Sequence, residues 1–570
     1  MIRIKFCTAL FAALLLAVPA AVPAQAANTA LAAHHMIASA NPYASKAGLE
    51  MLRAGGSAVD AAIAAQMVLT LVEPESSGIG GGAFMMLYDA KTKTMTSFDG
   101  REIAPKSATP GMFLDANGKP RPHLDAVPGG LSVGVPGVVA MLEMAHKKYG
   151  KLPWAKLFQP AIKLAEDGVP VGKKLAATIR QFAAMKKMPD IRAYFYHKDG
   201  TPLNEGEILK NPALAQTLRI IAKNGAKAFY HGAIAQAIVD KVQNAPVNKG
   251  GMTLADLAAY KPVERKPVCG PYRTYHICSM GPPSSGGIAI IQILGMLQHF
   301  PKSDLKAQSL SKVHLFTQAS RLAYADRAKF LGDPAFIDVP VKGLINQDYI
   351  ASRAKLIDPK KDMGEATAGN PPTDHADLYA PERSRQLPGT SHMSIVDDNG
   401  QVVSMTTTVE YVFGSEMMAK GFFLNNQLTD FSFDPTLDGK PVANAPEPGK
   451  RPMSAMSPTI AFNKDGSFKL ATGSPGGPFI IEYVAQDISA MLDDGLSPQA
   501  AAALPHYGNL NSPTILEKGT ALMKLAPALK AMGHTVVPYT LKSGIHTVEA
   551  VKGGYIGGAD PRRDGVALGD

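Results

Sequence analysis

The pattern of apolar and polar positions changes abruptly at residue 390. Residues 358–386 form a long polar run with several Pro and Gly and few aliphatic side chains, a composition typical of an exposed linker. Apolar and polar positions then alternate from Thr390 to Val409, interrupted by Asp-Asp-Asn-Gly at 397–400. Alternation with a period of two predicts β-strand, and Asn-Gly accepts the positive φ of a tight hairpin turn. The pattern therefore predicts an exposed linker that leads directly into a β-hairpin.

Periodicity predicts further elements on both sides of this hairpin. Apolar residues spaced by three and four predict helices, and short apolar runs bounded by Gly or Pro predict strands. The helical segments expected on this basis are 42–53, 57–68, most of 130–250, 288–299 and the stretch after Gly477. The expected strands are 83–88, 96–98, 267–279 and 469–472. The sequence contains no repeat and no low-complexity tract.

The composition is that of a large folded protein. The chain has 570 residues, of which 46% are hydrophobic and 19% charged, so it can bury a sizeable core. Its formal net charge is +10, but the basic residues are scattered and form no stripe interleaved with aromatic residues. Nucleic-acid binding is therefore not expected, and a generally basic enzyme accounts for the charge better.

Residues 1–26 have the pattern of a secretory signal. Arg3 and Lys5 supply the positive start, residues 10–18 the apolar core, and Ala-Gln-Ala at 24–26 a small-residue cleavage site. A membrane-spanning helix is disfavoured because the apolar run is short and Pro19 interrupts it. We expect export to the periplasm, with no membrane attachment and a net charge of +8 after the signal is removed.

Cysteine usage fits an exported protein but leaves the pairing open. Cys269 and Cys278 flank a segment that Gly and Pro break near its start, so a disulfide and two reduced, buried cysteines are both possible. No CxxC or HExxH motif is present, and the adjacent His34 and His35 do not share a helix face. The sequence thus predicts no metal site, and no cofactor is expected.

Cleavage before Thr390 would create a reactive group. A strand would then begin with a free amine and a hydroxyl on one residue, which is a nucleophile carrying its own base. Gly476 and Gly477 come at a predicted helix start, where their N–H groups suit an oxyanion pocket, although close packing is the plainer interpretation. Arg101 follows a predicted strand and suits a bidentate carboxylate contact, with an ordinary salt bridge as the alternative.

Taken together in this order, several blocks of sequence resemble the γ-glutamyltransferase (glutathione hydrolase) family of N-terminal nucleophile hydrolases. The resemblance covers essentially the whole chain after the signal, and the combination is far more specific than any single block. The matching blocks are 75–84, 98–107, 282–287, 390–414, 424–431, 451–459, 472–477 and 557–563.

The resemblance implies an α+β fold, a four-layer αββα sandwich made as one precursor. It implies self-cleavage between Gly389 and Thr390, giving a large subunit of residues 27–389 and a small subunit of residues 390–570 that stay together as a heterodimer. The implied reaction attacks γ-glutamyl amides such as glutathione, forms a γ-glutamyl-Thr ester, and passes the acyl group to water or to an amino acid or peptide.

Catalytic roles are implied for four residues that match the family pattern. Thr390 is the expected nucleophile, and its freed α-amine, with a reference pKa near 7.7–8.0, is the expected general base. Thr408 matches the threonine that hydrogen-bonds the nucleophile. Gly476 and Gly477 match the oxyanion pair.

Binding roles are implied for five more residues. Arg101 and Ser454 match the groups that hold the substrate α-carboxylate. Glu410, Gln427 and Asp430 match those that hold the α-ammonium. A γ-glutamyl group presents a carboxylate, an ammonium and a scissile carbonyl, so one cation, two anions and an oxyanion pocket suit it chemically.

Three departures from the family pattern affect this interpretation. Ala455 stands where the family often has a second serine after Arg-Pro-x, so one hydrogen bond to the carboxylate is missing. Glu410 stands where many members have Asn. The loop 431–449, which covers the site in some members, is hard to align.

Two rival functions remain. A cephalosporin or glutaryl acylase shares the fold, but its substrate lacks the α-ammonium that Glu410 and Asp430 would meet. A non-catalytic periplasmic binding protein would have no use for intact Thr390, Thr408 and the glycine pair.

Overall fold

The computed structural model describes residues 31–372, 378–382 and 387–570. The predicted signal, residues 1–26, lies outside the described residues, and so do two short pieces of the predicted linker, 373–377 and 383–386.

Most strands belong to two large sheets. The seven-stranded sheet has the order β22-β1-β9-β10-β2-β3-β6, and the six-stranded sheet the order β21-β20-β16-β15-β8-β7. The strands are β1 Met36–Ser39, β2 Gly82–Asp89, β3 Thr94–Gly100, β4 Val169–Pro170, β5 Ile208–Leu209, β6 Val263–Arg265, β7 Val268–Tyr272, β8 Tyr275–Ser279, β9 Thr390–Val396, β10 Val402–Thr408, β11 Met418–Ala419, β12 Phe422–Phe423, β13 Thr436–Leu437, β14 Lys440–Pro441, β15 Thr459–Phe462, β16 Phe468–Thr472, β17 Tyr507–Gly508, β18 Thr514–Glu517, β19 Val536–Tyr539, β20 His546–Val551, β21 Gly554–Ala559 and β22 Val566–Gly569.

Helices cover the outer faces of both sheets. α1 and α2 share one hydrophobic core with the seven-stranded sheet, and α12, α13 and α16 share a second core with the six-stranded sheet. The helices are α1 Pro42–Arg53, α2 Ala58–Val72, α3 His123–Ala126, α4 Val138–Tyr149, α5 Gln159–Asp167, α6 Lys173–Gln181, α7 Pro189–Phe195, α8 Pro212–Asn224, α9 Lys227–Tyr230, α10 Gly232–Gln243, α11 Leu254–Ala259, α12 Gly286–Leu297, α13 Leu310–Phe330, α14 Val341–Leu344, α15 Gln347–Ala354, α16 Ile480–Leu492, α17 Pro498–Ala502 and α18 Ala526–Ala531.

The side chains of β9 and β10 point alternately to the two faces of their sheet, and this explains how sheets and helices form four layers. Met393, Ile395 and Met405 point to the helices and lie in the first core. Ser394 and Ser404 point the other way, because successive side chains of a strand alternate between its faces, and both donate to carbonyls of the six-stranded sheet. The two sheets therefore pack face to face between helical layers, which confirms the predicted α+β sandwich.

Short-range sequence patterns correctly predicted several helices and strands. α1 spans Pro42–Arg53 as predicted, with Asn41 as the capping residue and Pro at the first turn. The predicted hairpin forms between β9 and β10, and the Asp397 carboxylate accepts from the N–H groups of Asn399 and Gln401 in its turn. These elements depend on short-range patterns, which are readable without tertiary context.

The two cysteines are bonded to each other. Cys269 in β7 pairs in register with Cys278 in β8, and their sulfur atoms form a disulfide. The open question about these residues is thereby answered in favour of the bond. Among the residues that the structure describes, none of the helices combines the length and apolarity needed to cross a membrane.

Candidate active site

Thr390 is the first residue of β9 and lies between the two sheets. It has the same strand parity as Ser394, so its side chain faces the six-stranded sheet, and it is only 3% exposed. Its register partner is Thr408, the last residue of β10. Thr390 Oγ1 donates to Thr408 Oγ1 over 3.3 Å.

Thr408 connects the predicted nucleophile to the peptide bond before it. Its hydroxyl donates to the carbonyl oxygen of Gly389 and accepts from Thr390 Oγ1 and, over 2.8 Å, from the N–H of Glu410. A hydroxyl has one proton and two lone pairs, so its hydrogen-bonding capacity is used completely. The Gly389 carbonyl, which would be attacked in self-cleavage, thus already has a polarising donor.

The junction before Thr390 is buried, so the prediction of an exposed linker is wrong at this point. Gly389 and Thr390 are both buried, and a Cβ on Gly389 would lie 2.3 Å from the Glu410 carbonyl oxygen. Leu387 is half-buried and its N–H donates to Glu410 Oε1 over 3.0 Å. The polar composition of the linker gave no sign of these contacts, which come from residues more than twenty positions away.

Behind Thr390 lies a charged network to which sequence reasoning assigned no role. Arg563 Nη1 donates to the Thr390 carbonyl oxygen over 3.1 Å and lies 3.7 Å from Glu73 Oε2. The same Glu73 oxygen accepts from Ser391 Oγ over 2.8 Å. Lys174, together with Arg563, holds the pKa of the buried Glu73 carboxyl below its usual value despite burial. Arg563 lies in the last block of the family resemblance, which was the available signal.

Gly476 and Gly477 adopt backbone conformations that favour glycine. Their φ angles are +136° and +60°, and they begin the 3₁₀ turn Gly477–Phe479 that leads into α16. A Cβ on Gly477 would lie 2.9 Å from the carbonyl carbon of Leu387. The second glycine of the predicted oxyanion pair therefore faces the segment just before the nucleophile.

Arg101 and Asp430 bond directly to each other. Arg101 Nη2 donates to Asp430 Oδ2 over 2.6 Å and to the Met453 carbonyl oxygen over 2.9 Å, while Nε donates to the Pro452 carbonyl oxygen. Gln427 Nε2 donates to the same Asp430 oxygen over 2.6 Å. One predicted carboxylate-binding residue, Arg101, and two predicted ammonium-binding residues, Gln427 and Asp430, therefore form one buried, connected group.

Two oxygen atoms of this group are left without donors. Asp430 Oδ1 and Gln427 Oε1 are buried and accept no hydrogen bond from the described residues. Buried acceptors without donors are costly, because they lose their water without replacement. A cationic donor would satisfy both.

Glu410 adds a second carboxyl to this side of the site. Its backbone has φ +81°, and Asn426 Nδ2 donates to its Oε2. Burial, reinforced by the nearby Asp430 charge, raises the pKa of Glu410 well above its usual value. A bound cation would restore the ionised form.

Ser454 and Ala455 form the wall beside Arg101. Ser454 is bonded through its carbonyl to Ser285, whose N–H and hydroxyl both donate to it. Ala455 is 4% exposed and offers no side-chain donor to the cavity.

One cavity brings most of the predicted residues together. It measures about 20 Å³, room for roughly one or two waters, so Leu387 and its neighbours largely fill the site of the uncut chain. Gly476 does not line it but adjoins Gly477, which does. The predicted residues that line it are Arg101, Thr390, Thr408, Glu410, Gln427, Asp430, Ser454 and Gly477.

A threonine at the start of a central strand of an αββα sandwich, facing a glycine turn from the second sheet, defines the class of N-terminal nucleophile hydrolases. A profile of the family described as Gamma-glutamyltranspeptidase matches residues 44–570. The chain belongs to the γ-glutamyltranspeptidase family.

Individual relatives agree with this membership. The chain is 40% identical to the glutathione hydrolase proenzyme of Bacillus subtilis over 94% of this chain and 91% of the relative. It is 39% identical to the glutathione hydrolase proenzyme of Escherichia coli over 92% of this chain and 90% of the relative.

Solved structures give the same fold. A cephalosporin acylase from Bacillus halodurans superposes with a TM-score of 0.82 at 27% identity, over 95% of this chain and 97% of that chain. A Helicobacter pylori γ-glutamyltranspeptidase chain superposes with a TM-score of 0.55 at 39% identity, over 58% of this chain and 93% of that chain.

Proposed function

We propose that this protein is a γ-glutamyl hydrolase and transferase that acts on glutathione and related γ-glutamyl amides. One observation carries the proposal: a single cavity combines Thr390 with the Arg101 guanidinium and with the unpaired acceptors of Gln427 and Asp430. A γ-glutamyl group has an electrophilic carbonyl, a carboxylate and an ammonium that match these three features. The two relatives named above are glutathione hydrolase proenzymes.

Maturation begins with attack on the chain itself. Thr390 Oγ adds to the Gly389 carbonyl carbon, the peptide C–N bond breaks, and the hydroxyl proton is transferred to the leaving nitrogen. Gly389 is then an ester on Thr390, and the Thr390 amine is free. Water then hydrolyses that ester and releases the Gly389 carboxylate. The Thr408 hydroxyl supports the first step because it already donates to the carbonyl oxygen on which negative charge develops.

The mature site then repeats this chemistry on a substrate. The Thr390 amine takes the hydroxyl proton as Oγ attacks the γ-carbonyl, and it returns the proton to the leaving amine. The N–H groups of Gly476 and Gly477 stabilise the oxyanion. Water or an amine acceptor then takes the γ-glutamyl group from the Thr390 ester.

Recognition divides between two sides of the cavity. Arg101 and Ser454 hold the α-carboxylate, and the fork geometry of a guanidinium suits this contact. Glu410, Gln427 and Asp430 hold the α-ammonium, which satisfies the two unpaired oxygens. Departure of Leu387 after cleavage opens the room that the substrate needs.

The same proposal covers processing and location. Residues 1–26 are removed on export, residues 27–389 form the large subunit and residues 390–570 the small subunit, and the heterodimer works in the periplasm. Extensive pairing across the junction supports a stable heterodimer, since β1 of the first segment pairs with both β9 and β22 of the second.

Self-cleavage is tested on purified protein. Wild type should give two bands on a denaturing gel, and the smaller should begin Thr-Ser-His-Met by N-terminal sequencing. Thr390→Ala should remain one uncut band. Persistence of uncut wild type, or cleavage at another bond, contradicts the proposed processing.

Substrate class is tested with two anilides that differ only in the α-amino group. Turnover of γ-glutamyl anilide should far exceed that of glutaryl anilide, because only the former supplies a cation to Asp430 and Glu410. The structural likeness to cephalosporin acylase motivates this comparison. Faster turnover of the glutaryl compound would assign the protein to the acylases instead.

A further inference from the structure

The disulfide lies in an open groove far from Thr390. The groove measures about 1370 Å³ and lies where the two sheets meet, with Tyr88 of β2 and Phe462 of β15 in edge contact on its wall. Tyr88 and Thr390 stand at opposite ends of the central strands, because Gly82 at the start of β2 pairs with Thr408. Six residues of strand separate those ends by about 20 Å.

Three potential metal ligands meet on one face of the β7–β8 hairpin. Cys269 is opposite Cys278 in register, and His276 is two residues before Cys278, so all three side chains share a face. Their sulfur and ring nitrogen atoms all lie within 4.8 Å of one another. Tetrahedral zinc with Zn–S bonds near 2.3 Å requires ligand atoms about 3.8 Å apart, so small side-chain adjustments suffice.

Exposure makes this cluster reachable. Cys269 is half-buried, His276 is exposed and Cys278 is buried, and all three line the groove. The first two side chains give access to the cluster. His276 makes no side-chain hydrogen bond or ion pair with other described residues, so its ring is available as a ligand. Lys266 and Arg273 also line the groove.

The bond adds comparatively little to the fold, which allows it another role. It closes a loop of only nine residues' separation, and the backbone ladder of β7 and β8 already closes that loop. Cross-links stabilise mainly by restricting long loops of the unfolded chain. A bond between already paired strands can therefore open without separating them.

We propose that reduction of the Cys269–Cys278 disulfide creates a zinc site formed by the two cysteine thiolates and His276, with a fourth position open to the groove. Two equivalents of a low-molecular-weight thiol supply two electrons and two protons, become a disulfide themselves, and leave two cysteine thiols. Zn²⁺ then displaces both protons. Two sulfurs and one imidazole are a ligand set that zinc prefers, and an open fourth position accepts water or an external thiol.

The proposed zinc site is connected to the active site only by the thiol that reduces the disulfide. Glutathione and the cysteinyl peptide released from it are thiols of the required class, a connection that rests on the proposed function. The metal site itself does not rest on it, since any small thiol serves.

Zinc binding is measured on untagged, full-length protein before and after treatment with dithiothreitol and its removal under nitrogen. Thiol titration should rise by two per chain on reduction, and zinc retained after desalting should rise by one equivalent. His276→Ala should weaken zinc binding by the reduced protein at least tenfold, and the double variant C269S/C278S should abolish the gain in zinc on reduction. His299→Ala, which changes an exposed histidine outside the cluster, is the control and should bind zinc as wild type does.

Cobalt(II) provides a second readout, because two thiolate ligands produce intense near-ultraviolet charge-transfer absorption that is lost in C269S/C278S. Retained turnover of γ-glutamyl anilide shows that each variant is folded, and its absence in all variants would count against the proposed function only. The metal site is overturned if reduced and oxidised proteins retain equal zinc, if no thiols appear, or if His276→Ala binds zinc as wild type.

Discussion

The recognition side and the nucleophile side of the cavity differ in how complete they are in the uncut chain. On the recognition side, Arg101, Gln427 and Asp430 are already bonded to one another in a buried group. On the nucleophile side, Thr390 has its hydroxyl partner Thr408 but has an amide where its base should be. Under the proposed function, folding thus builds the substrate-binding group directly, whereas the base requires cleavage before Thr390.

This difference separates two requirements that a single activity assay would merge. Changes on the nucleophile side should block cleavage and therefore everything after it. Changes at Arg101, Gln427 or Asp430 should leave cleavage intact, because their hydrogen bonds go to other residues than the described ones just before Thr390. Glu410 is the exception on this side, since it accepts from the Leu387 N–H. Each variant is therefore measured twice, by the rate of self-cleavage and by kcat/KM of the cleaved protein.

The largest effect is expected for Thr408→Val, which removes the donor to the Gly389 carbonyl and keeps the side-chain shape. Loss of one such donor slows acyl transfer about 10²- to 10³-fold, so uncut precursor should accumulate on a gel time course. Thr407→Val is the matched control, since Thr407 Oγ1 is buried and has no hydrogen-bond partner among the described residues. Equal cleavage rates of the two variants would contradict a role for Thr408.

Asp430→Asn should have the next largest effect, with cleavage preserved. The change removes a buried charge bonded to Arg101, and breaking such a pair costs about 2–5 kcal/mol, so kcat/KM for γ-glutamyl anilide should fall roughly 10²-fold. Turnover of glutaryl anilide should change much less. Asp434→Asn, which changes an exposed residue four positions further along the chain, serves as the control. A cleavage defect in Asp430→Asn would contradict the distinction between the two sides of the cavity.

Proton release on ligand binding should reveal Glu410. Burial raises the pKa of the Glu410 carboxyl, and an ammonium bound beside it would favour its ionised form. Binding should therefore release a proton and weaken as pH falls, by at most about tenfold per pH unit. Calorimetry with L-glutamate in buffers of different ionisation enthalpy measures the proton count, which Glu410→Gln should lower.

Sequence patterns predicted what depends on neighbouring residues. The bounds of α1, the β9–β10 hairpin and the position of Thr390 at a strand start all follow from periodicity, capping and turn chemistry. The family resemblance added the set of cavity residues, which no local pattern could have assembled from positions 101 to 477.

Contacts between segments that are far apart in the chain could not be predicted from sequence patterns. The family resemblance includes Arg563 but does not indicate that its guanidinium reaches the Thr390 carbonyl, 173 positions away. The burial of Gly389 was not predicted for the same reason. The polar composition of a linker indicates that it tolerates solvent, but not which distant residues pack against it. The cluster of Cys269, His276 and Cys278 fits no spacing rule because strand pairing, not a motif, brings it together.

The smallest effect is expected where the recognition side departs from the family, at Ala455. Ala455→Ser adds a hydroxyl beside the predicted carboxylate position, and one neutral hydrogen bond contributes about 0.5–1.5 kcal/mol, so KM for γ-glutamyl anilide should fall about 2- to 10-fold. γ-Aminobutyryl anilide, which lacks only the α-carboxylate, is the matched substrate and should gain nothing. An equal gain for both substrates would mean that the hydroxyl acts elsewhere and that Arg101 and Ser454 do not bind the carboxylate at this wall. A gain confined to the carboxylate-bearing substrate, with cleavage unchanged, would locate the carboxylate beside Ala455 and keep the two sides of the cavity functionally distinct.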